Sequence, residues 1–146
     1  MKHTIKRLLA LALSTAMVCS LMSLPAMAAG AKTDGIWNYT VSEDGTAAIV
    51  GAKDDYKSQS VVLIPAQLGG AAVSQVGSGS GAVLTNYRGG GYILVPREVT
   101  AIADRAFYDC NPVTGWSIFS TTSTAGNSFN GCSGEHYGDD DLTQTF

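Results

Sequence analysis

The chain has 146 residues, of which 14% are charged, and 17 are glycine. A typical soluble domain is roughly a quarter charged and about 7% glycine, so this composition excludes a coiled coil and a highly charged disordered chain. The net charge of -3 excludes a basic nucleic-acid binder, and with one long apolar run, at the extreme N-terminus, a polytopic membrane protein is excluded as well.

Residues 1–28 read as a secretory signal. Lys2, Lys6 and Arg7 form a positive start, Leu8 to Met22 is apolar and uncharged, and Pro25 breaks any helix. Ala26-Met27-Ala28 then offers small residues where a signal peptidase reads, which places cleavage between Ala28 and Ala29. The apolar run is short of the ~20 residues of a membrane span. Membrane contact is therefore expected only through the cleaved signal. Cleavage removes three of the nine basic residues and none of the twelve acidic ones, leaving a charge of -6. It also removes all four methionines, His3 and Cys19, so the mature chain keeps one histidine, His136, and two cysteines, Cys110 and Cys132.

Residues 29–134 read as one domain. Ile36 to Val41 alternates, with Trp37, Tyr39 and Val41 on one face. Glu43-Asp44-Gly45 is a turn and Thr46 to Val50 returns, which predicts a hairpin over residues 36–51. A lone hairpin is marginal in water, so its aromatic face must cover something. Lys53 to Ser60 is polar and reads as a loop. Val61 to Ile64 is strand-prone and stopped by Pro65; Tyr92 to Val95 repeats the pattern and is stopped by Pro96. Between them lie a turn at Gly69-Gly70, a short apolar piece at Val73 to Val76, and a glycine-rich stretch from Gly77 to Gly91. Gly77-Ser78-Gly79-Ser80-Gly81 is not a phosphate loop, because no helix can begin among the glycines that follow. It reads as a surface loop.

The last third repeats itself. At an offset of 22, Thr100 matches Thr122, Ala103 matches Ala125, Phe107 matches Phe129 and Cys110 matches Cys132. A period near 22 falls within the ~20–29 residues of leucine-rich repeats. The stretch Val95-Pro96-Arg97-Glu98-Val99-Thr100-Ala101-Ile102-Ala103-Asp104-Arg105-Ala106-Phe107-Tyr108-Asp109-Cys110 resembles the repeat unit of the BspA-like leucine-rich-repeat family of secreted and surface proteins. Trp37 to Val41 with Asp44 to Ala47 resembles that family's N-terminal hairpin, and Ile64-Pro65 through Gly77 its first turn. The likeness spans residues 35–132 and is specific only over 95–110. Gly77–Gly91 lacks the Ala-Phe and Cys of a full unit. Ile118-Phe119 stands where Ile-Pro is usual, and Ser128 where Ala is usual.

The resemblance implies a short leucine-rich-repeat solenoid. It would be β-rich, with stacked short parallel strands, an irregular convex side, a hairpin cap over 36–51 and units over about 61–132. The repeat core would be Ile64, Val76, Val95, Val99, Ile102, Phe107, Cys110, Phe129 and Cys132. Stacked coils bring Cys110 and Cys132 within disulfide range, at ~5 Å between Cα atoms. The resemblance favours a ladder of free thiols instead, and both alternatives stand at this point. Trp116, Tyr87, Tyr92 and Tyr108 lie in or beside turns, where exposed aromatics bind proteins or sugars; the alternative is that at least half pack inside, and the sequence does not separate the two.

Residues 135–146 read as a solvated acidic tail, with Glu135 and Asp139-Asp140-Asp141 lacking the ligand spacing of a calcium loop. His136 falls in this tail, without the pocket or positioned neighbour a catalytic base needs. No catalytic, metal or cofactor residue is assigned, and no nucleic-acid partner. The function expected is a secreted or cell-surface-associated, non-enzymatic module that binds an extracellular protein or glycan. The alternative is an N-terminal structural piece of a longer repeat protein, with no activity of its own.

Overall fold

The computed structural model describes residues 30–119 and 121–137. The proposed cleavage site at Ala28 and Ala29, and residues 138–146 of the proposed tail, lie outside the described residues.

Short strands follow one another around a three-sided coil. The first side is a parallel sheet of β4 (Val61–Leu63), β8 (Tyr92–Leu94), β11 (Gly115–Ser117) and β13 (Glu135–Tyr137), stacked in that order. The second side carries β6 (Ala71–Val76), β9 (Ala101–Ile102) and β12 (Ser123–Thr124), also parallel. The short β5 (Gln67–Leu68) folds antiparallel onto β6. The third side holds β7 (Leu84–Thr85) beside β10 (Phe107–Tyr108). It continues past β10 through bonds from the Phe107 and Asp109 amides to the carbonyls of Ser128 and Asn130. This is a leucine-rich-repeat type of β-solenoid. The only helix among the described residues is a 3-10 turn at Asp54–Ser58.

Each side sends one ladder inward. Val62, Ile93 and Trp116 share a register row on the first side, and Val76 stands beside Ile102 on the second. On the third side Leu84 stands beside Phe107. All seven are buried. Parallel strands this short are held by burial of such ladders rather than by length, since each fully buried aliphatic or aromatic side chain contributes ~1.5–3 kcal/mol. The expected core positions Ile64, Val76, Val95, Val99, Ile102, Phe107 and Cys110 are buried, while Phe129 and Cys132 in the last coil are half-buried.

Residues 78–81, expected as a surface loop, are exposed; the departure comes after them in the glycine-rich stretch. Val83, Leu84 and Tyr87 within it are buried, and Leu84–Thr85 is a strand. Leu84 takes the place of Phe107 in the preceding coil, and Tyr87 that of Cys110. The backbone confirms the equivalence. The residue before each inward side chain is left-handed: Asn86 (φ 55), Asp109 (φ 50) and Gly131 (φ 74). Asn, Asp and Gly are the residue types that enter this region at least cost. The unit is therefore complete in this coil, written with different side chains.

At the N-terminal end the expected hairpin is present as β2 (Trp37–Val41) and β3 (Ala47–Ala52), with β1 (Lys32–Asp34) added antiparallel to β2. The Asp44 carboxylate closes the turn by accepting hydrogen bonds from the Thr46 amide and hydroxyl. These bonds hold its pKa below the ordinary carboxylate value. The cap works by edge pairing as well as by its aromatic face. β3 pairs parallel with β6, extending the second side, while Trp37 and Tyr39 turn into the core.

The third side is capped by a single residue. Tyr56 lies in the polar 53–60 segment, yet it is buried. Its hydroxyl donates to the Thr85 carbonyl at 2.8 Å and accepts from the Thr85 amide at 2.9 Å. One phenol thus satisfies the two backbone groups that a preceding strand would otherwise take. Desolvation raises its pKa.

Candidate functional site

Two surfaces stand out, and both lie toward the C-terminal half of the first side. The outward rows of this sheet are Val61, Tyr92, Gly115, Glu135 and Leu63, Leu94, Ser117, Tyr137. Because Gly115 has no side chain, the Tyr92 and Tyr137 rings close over it, with centroids 6.5 Å apart. A Cβ at residue 115 would lie 2.3 Å from the Tyr137 ring and 3.1 Å from that of Tyr92. The Tyr137 hydroxyl donates to the Glu135 carboxylate at 2.9 Å. The result is an aromatic shelf with an acidic edge. It is built by residues from three successive coils.

The second surface is the C-terminal end, which is open among the described residues. Phe107, Trp116 and Phe129 form one aromatic cluster. Phe107 and Phe129 stack at 5.3 Å, and Trp116 meets both edge-on at 5.1 and 5.0 Å. The Trp116 indole N–H donates to the Ser133 carbonyl at 2.7 Å, which fixes the ring. Beyond Phe129 lies a cleft of about 450 Å³, lined by Trp116, Phe119, Phe129, Cys132 and His136 among others.

The four aromatics singled out in the sequence divide evenly. Trp116 and Tyr87 are buried, and Tyr92 and Tyr108 are exposed. Tyr108 lies on the third side, away from the shelf. The Tyr87 hydroxyl donates to the Gln59 carbonyl at 2.6 Å, a second tether between the loop and the first coil.

His136 and Glu135 are not in a tail. They form β13, paired parallel with β11, and the stack therefore runs beyond residue 134. The reading as tail rested on polarity. A strand at the outer edge of a stack has no neighbour beyond it and need not be apolar. Glu135 is held by Tyr137 rather than directed toward a cation.

Cys110 and Cys132 are free thiols in adjacent coils. Cys110 Sγ donates to the Leu84 carbonyl of the coil before it, and Cys132 Sγ to the Phe107 carbonyl. The interaction between the two neighbouring thiols pushes Cys110 well up and leaves Cys132 the more acidic of the pair; burial raises Cys110 further. Among the described residues no three His, Cys, Asp or Glu side chains gather where they could share a metal ion.

Sequence reasoning missed Tyr56, Tyr137 and Gly115. Register sets Gly115 between Tyr92 and Glu135, with Tyr137 in the neighbouring row; the missing side chain leaves room for the Tyr137 ring to lean across toward Tyr92.

Two solved structures share this fold. A leucine rich cell surface protein from Faecalibacterium prausnitzii matches 73% of this chain with 24% identity and a TM-score of 0.50. The matched part is 26% of that protein's chain, so the likeness covers about a quarter of its length. A leucine-rich repeat protein from Bacteroides capillosus matches 75% of this chain and 98% of its own, with 16% identity and a TM-score of 0.51. No family model and no curated protein matches the chain. The likeness establishes the leucine-rich-repeat fold, in agreement with the BspA-like resemblance carried by residues 95–110.

Proposed function

We propose that this chain is a secreted, non-enzymatic repeat module that recognises an extracellular protein or glycan at or near a cell surface. The observation that carries the reading is the shelf of Tyr92 and Tyr137 closed over Gly115. Tyrosine offers a large, rigid contact area and gives up little conformational entropy on binding. A ring pair on a parallel sheet is a rigid platform, and the Glu135 carboxylate at its edge supplies polar recognition. The description of the Faecalibacterium protein as a cell surface protein supports the location.

The test is binding of the purified protein to immobilised oligosaccharides and extracellular matrix proteins, in parallel with the Tyr92→Ala and Tyr137→Ala variants. Binding that falls at least about tenfold in both variants supports the shelf. Binding indifferent to both removes it.

A second reading is favoured by the open C-terminal end. Half-buried Phe129 and Cys132 present to the cleft the side chains that inner coils keep buried. In that reading the chain is the first part of a longer repeat array and supplies its cap. Appending one further coil would then raise the melting temperature by several degrees, as expected for ~1–2 kcal/mol in a domain of this size.

A further inference from the structure

Cys110 and Cys132 hold the same position in adjacent coils. Cys132 Sγ leans back onto the coil of Cys110, where it donates to the Phe107 carbonyl at 3.6 Å. The Ser133 amide donates to the Cys110 carbonyl at 3.2 Å, so the two residues stand on neighbouring rungs. Such rungs lie ~4.8 Å apart, inside the ~4.4–6.8 Å between Cα atoms that a disulfide accepts. In the preceding coil Tyr87 takes the position, and its carbonyl accepts from the Asn111 amide in the same way. Among the described residues the thiols are therefore a pair, closed on one side by a tyrosine.

The two thiols differ in access. Cys132 is half-buried and lines the cleft of about 450 Å³ at the C-terminal end, with Trp116, Ser133 and His136 around it. A molecule entering this cleft meets one thiol. Cys110 is fully buried, its Sγ 3.7 Å from the Leu84 carbonyl of the preceding coil. A thiol is a weak donor, so little holds the sulfur there. Rotation about the Cα–Cβ bond carries it from Leu84 toward Cys132. Acidity separates the pair in the same sense, with Cys132 the lower. The largest cause of the rise at Cys110 is Cys132 itself, and burial comes second. Once Cys132 is bonded to another sulfur it carries no charge to oppose a second thiolate, and the larger obstacle to ionising Cys110 is gone.

We propose that Cys132 is a thiol–disulfide exchange site that admits a small disulfide of the size of cystine through the C-terminal cleft, and that Cys110 is its resolving thiol. The Cys132 thiol gives its proton to solvent, and the thiolate attacks one sulfur of cystine. The cystine S–S bond breaks, a mixed disulfide forms between Cys132 and one half, and the other half leaves as cysteine after taking up a proton. Cys110 then loses its proton to solvent, and its thiolate attacks Cys132 Sγ. The Cys110–Cys132 bond forms, and the second cysteine is expelled and protonated. In sum, two protein thiols are oxidised to one disulfide and one cystine is reduced to two cysteines. The exchange is reversible, and a small dithiol returns the pair to the form the structure describes. The new bond ties the coil of Phe129 to the coil of Phe107. The site stands whether or not the Tyr92–Tyr137 shelf binds a partner.

The experiment starts from purified protein reduced with dithiothreitol and freed of it. Cystine is added at neutral pH, aliquots are quenched in acid, and each is read by intact mass and peptide mapping. The expected result is a transient gain of one cysteinyl group on Cys132. It gives way to a product lighter than the starting protein by two hydrogens, with the peptides of residues 110 and 132 linked. Dithiothreitol restores the starting mass. Cys110→Ala should stop at a stable cysteinyl adduct on Cys132. Cys132→Ala should react at least about tenfold more slowly, because the remaining thiol is reached only when its coil opens. Circular dichroism checks that each variant folds, and the wild-type time course makes the same assignment without them. An adduct that persists in the wild type overturns the proposal. So does a first adduct on Cys110, a disulfide-linked dimer as the product, or a folded protein that cystine leaves unchanged.

Discussion

The two ends of the solenoid face the same problem and treat it differently. At the N-terminal end β3 pairs with β6, and Tyr56 closes β7 with two hydrogen bonds from one hydroxyl. Among the described residues, only β4 has no cover at this end. At the C-terminal end β12 and β13 are polar, while the interior behind them stays partly open at Phe129 and Cys132. The closed end protects the core by covering it; the open end protects only its strand edges. Stability in such a stack is a sum of coils and of contacts between neighbours, so equivalent substitutions should cost more toward the closed end.

The largest expected effect lies between the ends. Phe107→Ala removes the middle ring of the aromatic cluster and should cost ~3–5 kcal/mol in urea unfolding, the range of a fully buried phenylalanine. Ile49→Ala in the cap should cost ~2–5 kcal/mol, because the isoleucine is fully buried against β6. Tyr56→Phe keeps the ring and removes both bonds to Thr85. A loss of ~1–3 kcal/mol is expected, the cost of leaving buried backbone groups unpaired. Phe129→Ala, the repeat equivalent of Phe107→Ala, should cost only ~1–2 kcal/mol, since its ring is already partly exposed. Equal losses at 107 and 129 would mean that the C-terminal end is closed in solution.

Thiol chemistry sharpens the same contrast without mutation. Cys132 is half-buried and is the more acidic of the pair, whereas Cys110 is fully buried with its thiol pushed up. A thiol reagent at neutral pH should therefore modify Cys132 first, and Cys110 only at the rate of unfolding. Simultaneous modification, or none before unfolding, would contradict the arrangement.

The sequence was most legible where one coil uses the commonest residue at each position. Residues 95–110 show both the fold and the inward positions. The coil before it was hidden because Leu84 and Tyr87 stand in for phenylalanine and cysteine among glycines. One signal was available there: Asn86 precedes Tyr87 as Asp109 precedes Cys110, and both take the left-handed backbone. Tyr56 was not legible, because capping a strand edge with a phenol leaves no periodic trace. β13 was misread because an edge strand escapes the alternation that burial imposes. The candidate site was half legible. Tyr92 could be picked out as an aromatic beside a turn, but its contact with Tyr137 needs the side chains themselves, since register sets Glu135 beside Gly115 and the Tyr137 ring leans across from the next row.

The direction of the ladder hydrogen bonds has a mechanical consequence. They run along the solenoid axis, from coil to coil, so tension between the two ends loads the rungs in series. The coil at the open end, with half-buried Phe129 at its core, should yield before those beneath it. Phe107 and Phe129 lie 22 residues apart. At ~3.3–3.6 Å per extended residue, each released coil lengthens the molecule by about 70 Å. Pulled in a force spectrometer, the chain should extend in steps of that size, beginning at β13.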